Sequence, residues 1–193
     1  MAQAWTLMAA DGKVKVLHLI RDPRGVINSR KLFGIRYSFD PAYIQSVCLR
    51  VLEDINTSLT LSKMFPGRIL TVRYEDIVSE PITATQQMYE LVGLRVSPRV
   101  KKLIWDMTSA GFPDDCNVCP VRSNATETAR NWRRKLDFPT VAAIQGECQT
   151  LLVRMGYRIF RSEDELRDFD VSSTFGEYDS RVMKVNVKSI KLK

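Results

Sequence analysis

The sequence is poor in histidine: His18 is the only one among 193 residues. A zinc centre built on Cys116-x-x-Cys119 needs about four ligands, so with His18 remote only an all-cysteine set remains for it. No uninterrupted apolar run approaches the roughly 18–20 residues that cross a bilayer. The first ten residues, MAQAWTLMAA, are apolar but lack a charged leading segment, and Asp11 cuts them short. They read as the tail of a helix or a loop rather than a signal peptide. No G-x-x-x-x-G-K-[ST] run occurs, which argues against a P-loop kinase-like phosphotransferase. With 45% apolar and 26% charged residues, the chain is neither a disordered tail, a collagen nor a disulfide miniprotein.

What the chain has in surplus is positive charge. Its 29 Lys+Arg against 22 Asp+Glu give a net charge of +7. An anionic partner follows: nucleic acid, an acidic polysaccharide or a phosphorylated cofactor. A nucleic-acid partner also calls for a known module or an aromatic-interleaved basic patch, and neither is present.

Residues 14–20 (VKVLHLI) read as a buried strand that ends abruptly at Arg21-Asp22-Pro23. Residues 25–32 look like a short helix. Between 43 and 64, apolar residues at Ile44, Val47, Cys48, Val51, Ile55 and Leu59 predict a helix with one buried face, stopped by Pro66-Gly67. Residues 68–74 (RILTVRY) give a second strand. Helices are expected from Pro81 to about Val92, from Pro98 through Trp105, and over 139–155. Residues 108–131 read as one long loop, and the chain beyond about Asp170 as a frayed strand or a tail. Strands alternating with helices predict an α/β fold with a parallel sheet flanked by helices.

In such folds ligands sit beyond the carboxyl ends of the strands. The first strand ends there on Arg21 and Arg24, followed at once by a helix N-terminus, with Ser29 in its first two turns. Guanidinium forks, helix amides and a hydroxyl suit a phosphate. The competing possibility is that Arg21 and Arg24 form surface ion pairs with Asp22 and other carboxylates.

The run VLHLIRDPRGVINSR at 16–30 closely resembles the 3′-phosphate-binding motif of sulfotransferases, above all the Golgi carbohydrate 6-O-sulfotransferases. Three further segments resemble that family in order. They are Arg73-Tyr74-Glu75-Asp76-Ile77, Arg122-Ser123 with Trp132-Arg133-Arg134-Lys135-Leu136, and 141–157 with Gln145, Cys148 and Met155-Gly156-Tyr157. The resemblance runs from about Lys13 to Phe160. It implies a PAPS-dependent sulfotransferase (PAPS is 3′-phosphoadenosine 5′-phosphosulfate) acting on a sugar 6-hydroxyl of N-acetylglucosamine, N-acetylgalactosamine or galactose. Arg21 and Ser29 would hold the 3′-phosphate, Tyr74 would lie near the adenine, and Arg122 would close over the cofactor. Implied partners are a glycan acceptor and no metal, with the protein on the lumenal side of the Golgi membrane.

The family's 5′-phosphosulfate loop has no counterpart here, since only twelve residues precede Lys13. The membrane anchor of the family is likewise not found. The expected organisation is therefore a remnant at 1–12, a partial P-loop-like sulfotransferase domain at 13–160 lacking its N-terminal strand–loop–helix, and a polar, basic tail at 161–193. A non-catalytic fragment that binds adenosine bisphosphate weakly is the alternative. No catalytic base is identified: His18 in mid-strand reads as a core histidine, and Glu75 and Asp76 as capping or structural carboxylates.

The four cysteines allow three complete pairings. In a Golgi lumen, a bridge that staples the Cys116/Cys119 loop is expected. Cys48 and Cys148, on helical apolar faces, read as buried thiols. Asn56-Thr57-Ser58 and Asn124-Ala125-Thr126 are glycosylation sequons that agree with a lumenal location.

Overall fold

A computed structural model of the chain describes residues 1–32, 34, 39–110, 121–175, 178–179 and 184–185. The apolar opening forms helix α1 (Ala2–Ala10), which Asp11 ends in an extended conformation. Strand β1 (Val16–Ile20) leads through Arg21-Asp22 into α2 (Pro23–Leu32). Helix α3 (Pro41–Met64) is next, its start fixed by Asp40, whose side chain accepts from the Tyr43 amide at 3.0 Å, and by Pro41 in the first turn. Gly67 turns the chain with φ 71°, a left-handed conformation that glycine adopts without Cβ strain. Strand β2 (Ile69–Arg73) then runs parallel to β1, with Val16 opposite Ile69 and Ile20 opposite Arg73.

The described residues that follow are mainly helical. α4 (Tyr74–Ser79), α5 (Pro81–Leu91), α6 (Pro98–Thr108), α7 (Ala125–Arg130), α8 (Trp132–Lys135), α9 (Phe138–Glu147), α10 (Gln149–Arg154) and α11 (Glu163–Arg167) follow in order. Two short strands, β3 (Tyr178–Asp179) and β4 (Lys184–Val185), pair antiparallel. The fold is thus the expected α/β arrangement of a parallel strand pair flanked by helices. Among the described residues, no helix is long and apolar enough to cross a membrane.

The main core lies where α2, α3, α8, α9 and α10 meet. It holds Ile20, Ile27, Ile44, Ile55, Trp132, Ile144, Leu152, Tyr157 and Phe160. The buried face of α3 is the one its spacing predicted, and Ser58 on it bonds Thr71 of β2, oxygen to oxygen, at 2.9 Å. Trp132 and Phe160 pack edge to face, with ring centroids 6.1 Å apart.

Four expectations need correction. The second strand stops at Arg73, and Tyr74 opens α4 instead of ending a strand. The single loop expected over 108–131 contains α7, because Asn124 caps it by accepting from the Glu127 amide at 3.0 Å. The helix expected over 139–155 breaks at Cys148 (φ −106°, ψ 10°) into α9 and α10. Finally, Cys48 and Cys148 are not thiols. The packing of α3 against α9 brings their Cα atoms to 5.5 Å, and they form a disulfide across 100 residues. The expected Cys116/Cys119 bridge lies outside the described residues.

Residues 161–175 are docked by several contacts, among them Arg158 Nε on the Ser172 carbonyl at 2.8 Å and the Phe175 amide on the Gly156 carbonyl at 2.8 Å, and most extensively by one side chain. Arg133, fully buried, donates to the carbonyls of Glu165, Leu166, Asp168 and Val171 at 2.6–3.2 Å. Burial and nearby Arg130 lower its pKa to about 10, so it stays charged at neutral pH.

Closing a loop of this length by a disulfide stabilises the folded chain by about 4–5 kcal/mol in the chain-entropy account. A Cys48→Ala/Cys148→Ala double variant is therefore expected to lose several kcal/mol in denaturant unfolding. Adding reductant should lower the stability of the native chain by several kcal/mol more than that of the variant.

Candidate anion-binding site

The parallel register builds the site. Ile20 lies opposite Arg73, so the next residues of the two strands, Arg21 and Tyr74, leave the sheet side by side. The Arg21 guanidinium carbon stands 4.6 Å from the Tyr74 ring centroid, a cation–π stack. One residue further, the Asp22 amide donates to Glu75 Oε1 at 3.0 Å. Each residue of the turn after β1 is thereby matched to one of the first turn of α4.

The two arginines of the turn have different fates. Arg24 is fully buried. Its Nε and Nη2 donate to the two Asp22 carboxylate oxygens at 2.9 and 2.7 Å. Its Nη1 donates to Gln145 Oε1 at 2.8 Å and to the Arg158 carbonyl at 2.6 Å. Its guanidinium carbon lies 4.4 Å from the Trp132 ring centroid. The expected pairing with Asp22 exists, but as a buried bidentate bridge instead of a surface pair. Arg24 is consequently not available as a phosphate fork. Asp22 also caps α2, accepting from the Arg24 amide at 2.9 Å. That helix N-terminus thus already holds a carboxylate of its own chain.

Arg21 is stacked on Tyr74 but keeps an unused donor. Its Nε is buried and has no hydrogen-bond partner among the described residues. A donor removed from water and left unpaired is costly unless a ligand accepts from it. Gly25 keeps the space beside it open: a Cβ there would lie 3.2 Å from Trp132 Cδ1 and 3.6 Å from Arg21 Nε. Ser29, on the second turn of α2, is half-buried. The described bonds of Arg122 run elsewhere, from its side chain to the Val121 carbonyl at 3.1 Å and from its amide to the Met107 carbonyl at 2.9 Å. The structure therefore brings Arg21 and Tyr74 together, sets Ser29 along the adjoining helix, and ties Arg122 to the end of α6.

Glu75 is the residue whose role the sequence understated. Its second oxygen, Oε2, accepts from the Tyr157 hydroxyl at 2.8 Å. Burial and the neighbouring Asp22 carboxylate push its pKa up to about 7, against the opposing hydrogen bonds. Tyr157 is pushed well above the usual phenol range, chiefly by its own burial. Glu75 also borders a polar cavity of about 280 Å³ with Asp76, Thr126, Arg130 and Thr174. The signal for Glu75 lay in the parallel motifs: Tyr74-Glu75 follows β2 as Arg21-Asp22 follows β1. His18, by contrast, sits in mid-β1 with Nδ1 3.4 Å from Thr71 Oγ1, and burial holds its imidazole below the usual range.

The model of the sulfotransferase family, Sulfotransfer_3, matches residues 2–98, half of the chain. The chain belongs to the sulfotransferase family. Carbohydrate sulfotransferase 1 of Rattus norvegicus is 29% identical over 174 residues, covering 82% of this chain and 42% of that protein. Its Danio rerio counterpart is 30% identical over 177 residues, with the same 82% and 42% coverage. Carbohydrate sulfotransferase 2 of Homo sapiens is 26% identical over 195 residues, covering 80% and 37%. This sulfotransferase-family chain thus spans about two-fifths of the length of the curated relatives it matches. No solved structure matches it significantly.

Removing Asp22 would leave Arg24 charged and buried without its carboxylate. Asp22→Ala is expected to lose about 3–5 kcal/mol in denaturant unfolding. Glu75 sets a pH dependence of the opposite sense to that of an ordinary carboxylate. Its pKa rises on folding from 4.5 to about 7, so its contribution to stability is complete below pH 4.5 and is lost as pH rises through about 7. Thermal unfolding of Glu75→Gln should lack this decline between about pH 5 and 8, while the native chain shows it.

Proposed function

We propose that this chain is the 3′-phosphate-binding portion of a carbohydrate sulfotransferase that uses PAPS as sulfuryl donor. The observation that carries this reading is the Arg21 guanidinium. It is stacked on Tyr74 at 4.6 Å with its buried Nε unpaired, at the carboxyl end of β1. A phosphate monoester offers that donor three oxygens and a charge of about −1.5 to −2. Arg21 binds the 3′-phosphate, and the Ser29 hydroxyl donates to it from α2. Tyr74 gives the nucleotide an aromatic face while holding Arg21 in place. Arg122, on the chain after α6, covers the nucleotide from outside.

In the reaction, an acceptor hydroxyl oxygen attacks the sulfur of PAPS. The bond between sulfur and the bridging oxygen of the 5′-phosphate breaks, and the hydroxyl proton goes to a base. The products are a sugar sulfate ester and adenosine 3′,5′-bisphosphate. The printed names of the relatives support a carbohydrate acceptor. Within that class we assign the 6-hydroxyl of N-acetylglucosamine, N-acetylgalactosamine or galactose in a glycosaminoglycan, keratan-type or protein-linked glycan, from the resemblance of the 16–30 motif. Catalysis takes place in the Golgi lumen. The Cys48–Cys148 disulfide supports an oxidising compartment, and both sequon asparagines, Asn56 and Asn124, are exposed.

Arg21→Ala is expected to weaken binding of adenosine 3′,5′-bisphosphate at least about tenfold, the scale of one lost charge-assisted contact. Titration calorimetry reads this directly. An affinity equal to that of the native chain would remove Arg21 from the site.

A further inference from the structure

The turn that carries Arg21 is held from behind. The Asp22 amide bonds Glu75 Oε1, and Glu75 Oε2 bonds the hydroxyl of fully buried Tyr157. A chain of contacts thus runs from the core through Tyr157 and Glu75 to Asp22, the residue after Arg21. The residue before Glu75 is Tyr74, whose ring stacks on Arg21. Any shift of Glu75 moves both the ring beside Arg21 and the amide next to it.

The charged groups around Glu75 leave it without a cationic partner among the described residues. Asp22 faces it from the turn and Tyr157 from the segment after α10. Arg24 of α2 is taken by Asp22, and Arg73 at the end of β2 by Asp76 of α4. Arg130 of α7 borders the same cavity, but no described ion pair joins it to Glu75. An anion bound at Arg21, which stacks on the residue before Glu75, would add negative charge on the same turn.

We propose that Glu75 is a positioning residue for the anion-binding turn and that it works in its protonated form. As a neutral acid it still accepts from the Asp22 amide. It keeps the Tyr157 contact with donor and acceptor exchanged, and it places no negative charge beside the phosphate. As a carboxylate it keeps both bonds but opposes the incoming anion. Phosphate binding is therefore linked to proton uptake at Glu75. Reciprocally, affinity declines as the carboxyl ionises, near neutral pH. The pKa of about 7 agrees with such a linkage.

The inference rests on Arg21 as the phosphate ligand, and one set of titrations separates the two. Adenosine 3′,5′-bisphosphate is titrated calorimetrically into the native chain and into Glu75→Gln, Glu75→Ala and Arg21→Ala, from about pH 6 to 8.5. Glutamine presents an acceptor to the Asp22 amide and a donor to the Tyr157 oxygen, and it cannot ionise. Glu75→Gln is expected to match the native chain near pH 6 and to bind about fivefold tighter near pH 8.5. Measured in buffers of different ionisation enthalpy, the native chain should take up more protons on binding near pH 7.5 than Glu75→Gln does. Glu75→Ala should bind about tenfold more weakly across the range. A constant ratio between Glu75→Gln and the native chain at every pH overturns the role of the protonated form. Native affinity in Glu75→Ala overturns the positioning role. Absence of binding by the native chain, or no loss in Arg21→Ala, overturns the phosphate assignment itself and this inference with it.

Discussion

The structure turns on the buried ion pair between Asp22 and Arg24. A carboxylate and a guanidinium shut away from water are tolerated only when nearly every donor and acceptor is used. Here Asp22 caps α2 and grips Arg24, and Arg24 reaches on to Gln145 and the Arg158 carbonyl. Gln145 in turn bonds the Phe160 amide and carbonyl. Three side chains, Asp22, Arg24 and Gln145, thus join the end of β1, the start of α2, the last turn of α9 and the chain after α10. This joint fixes where the turn begins, and so where Arg21 emerges.

The same logic explains how the positive charge is used. Arg73 and Arg133 are also buried, and each is spent on backbone carbonyls: Arg73 on Met155, and Arg133 on the segment around α11. Arg73 is also paired with Asp76. A guanidinium has five donors in a rigid fork, so one arginine can satisfy several carbonyls that lysine could not. Arg167 also keeps one buried nitrogen unpaired, but its Nη2 is held by Glu163 and the Leu136 carbonyl, whereas Arg21 Nε is unpaired on a side chain whose described contact is the stack on Tyr74. The net charge of +7 announced an anionic partner, but part of the arginine content crosslinks the fold instead.

Much of the architecture was legible because its signals are local. The first strand, expected over 14–20 and found over 16–20, the buried face of α3, the stop at Gly67 and the proline-led starts of α5 and α6 follow from periodicity and capping within a few residues of each other. Helix α7 was obscured because its six residues are too short for a period to emerge, and its cap, Asn124, sits in a polar stretch. The break at Cys148 was hidden because apolar spacing continues across it. The disulfide was hidden too, since the distance between Cys48 and Cys148 depends on how α3 packs on α9.

The sequence by itself determined the class of fold, the family and the segment proposed to meet the anion, because those rest on residue order and short-range pattern. Only the tertiary structure supplied the physical reason why the two arginines differ. Spacing alone leaves Arg21 and Arg24, three positions apart, equivalent, and only the family resemblance singled out Arg21. Folding buries Arg24 against Asp22, Gln145 and Trp132, whereas the parallel register sets Arg21 beside Tyr74 with Nε unpaired. The same register delivers Glu75 to the back of the turn, across 53 residues of chain. Burial and long-range contact separate like side chains into one that is tied into the core and one that keeps an unpaired donor, and neither is written in the local sequence.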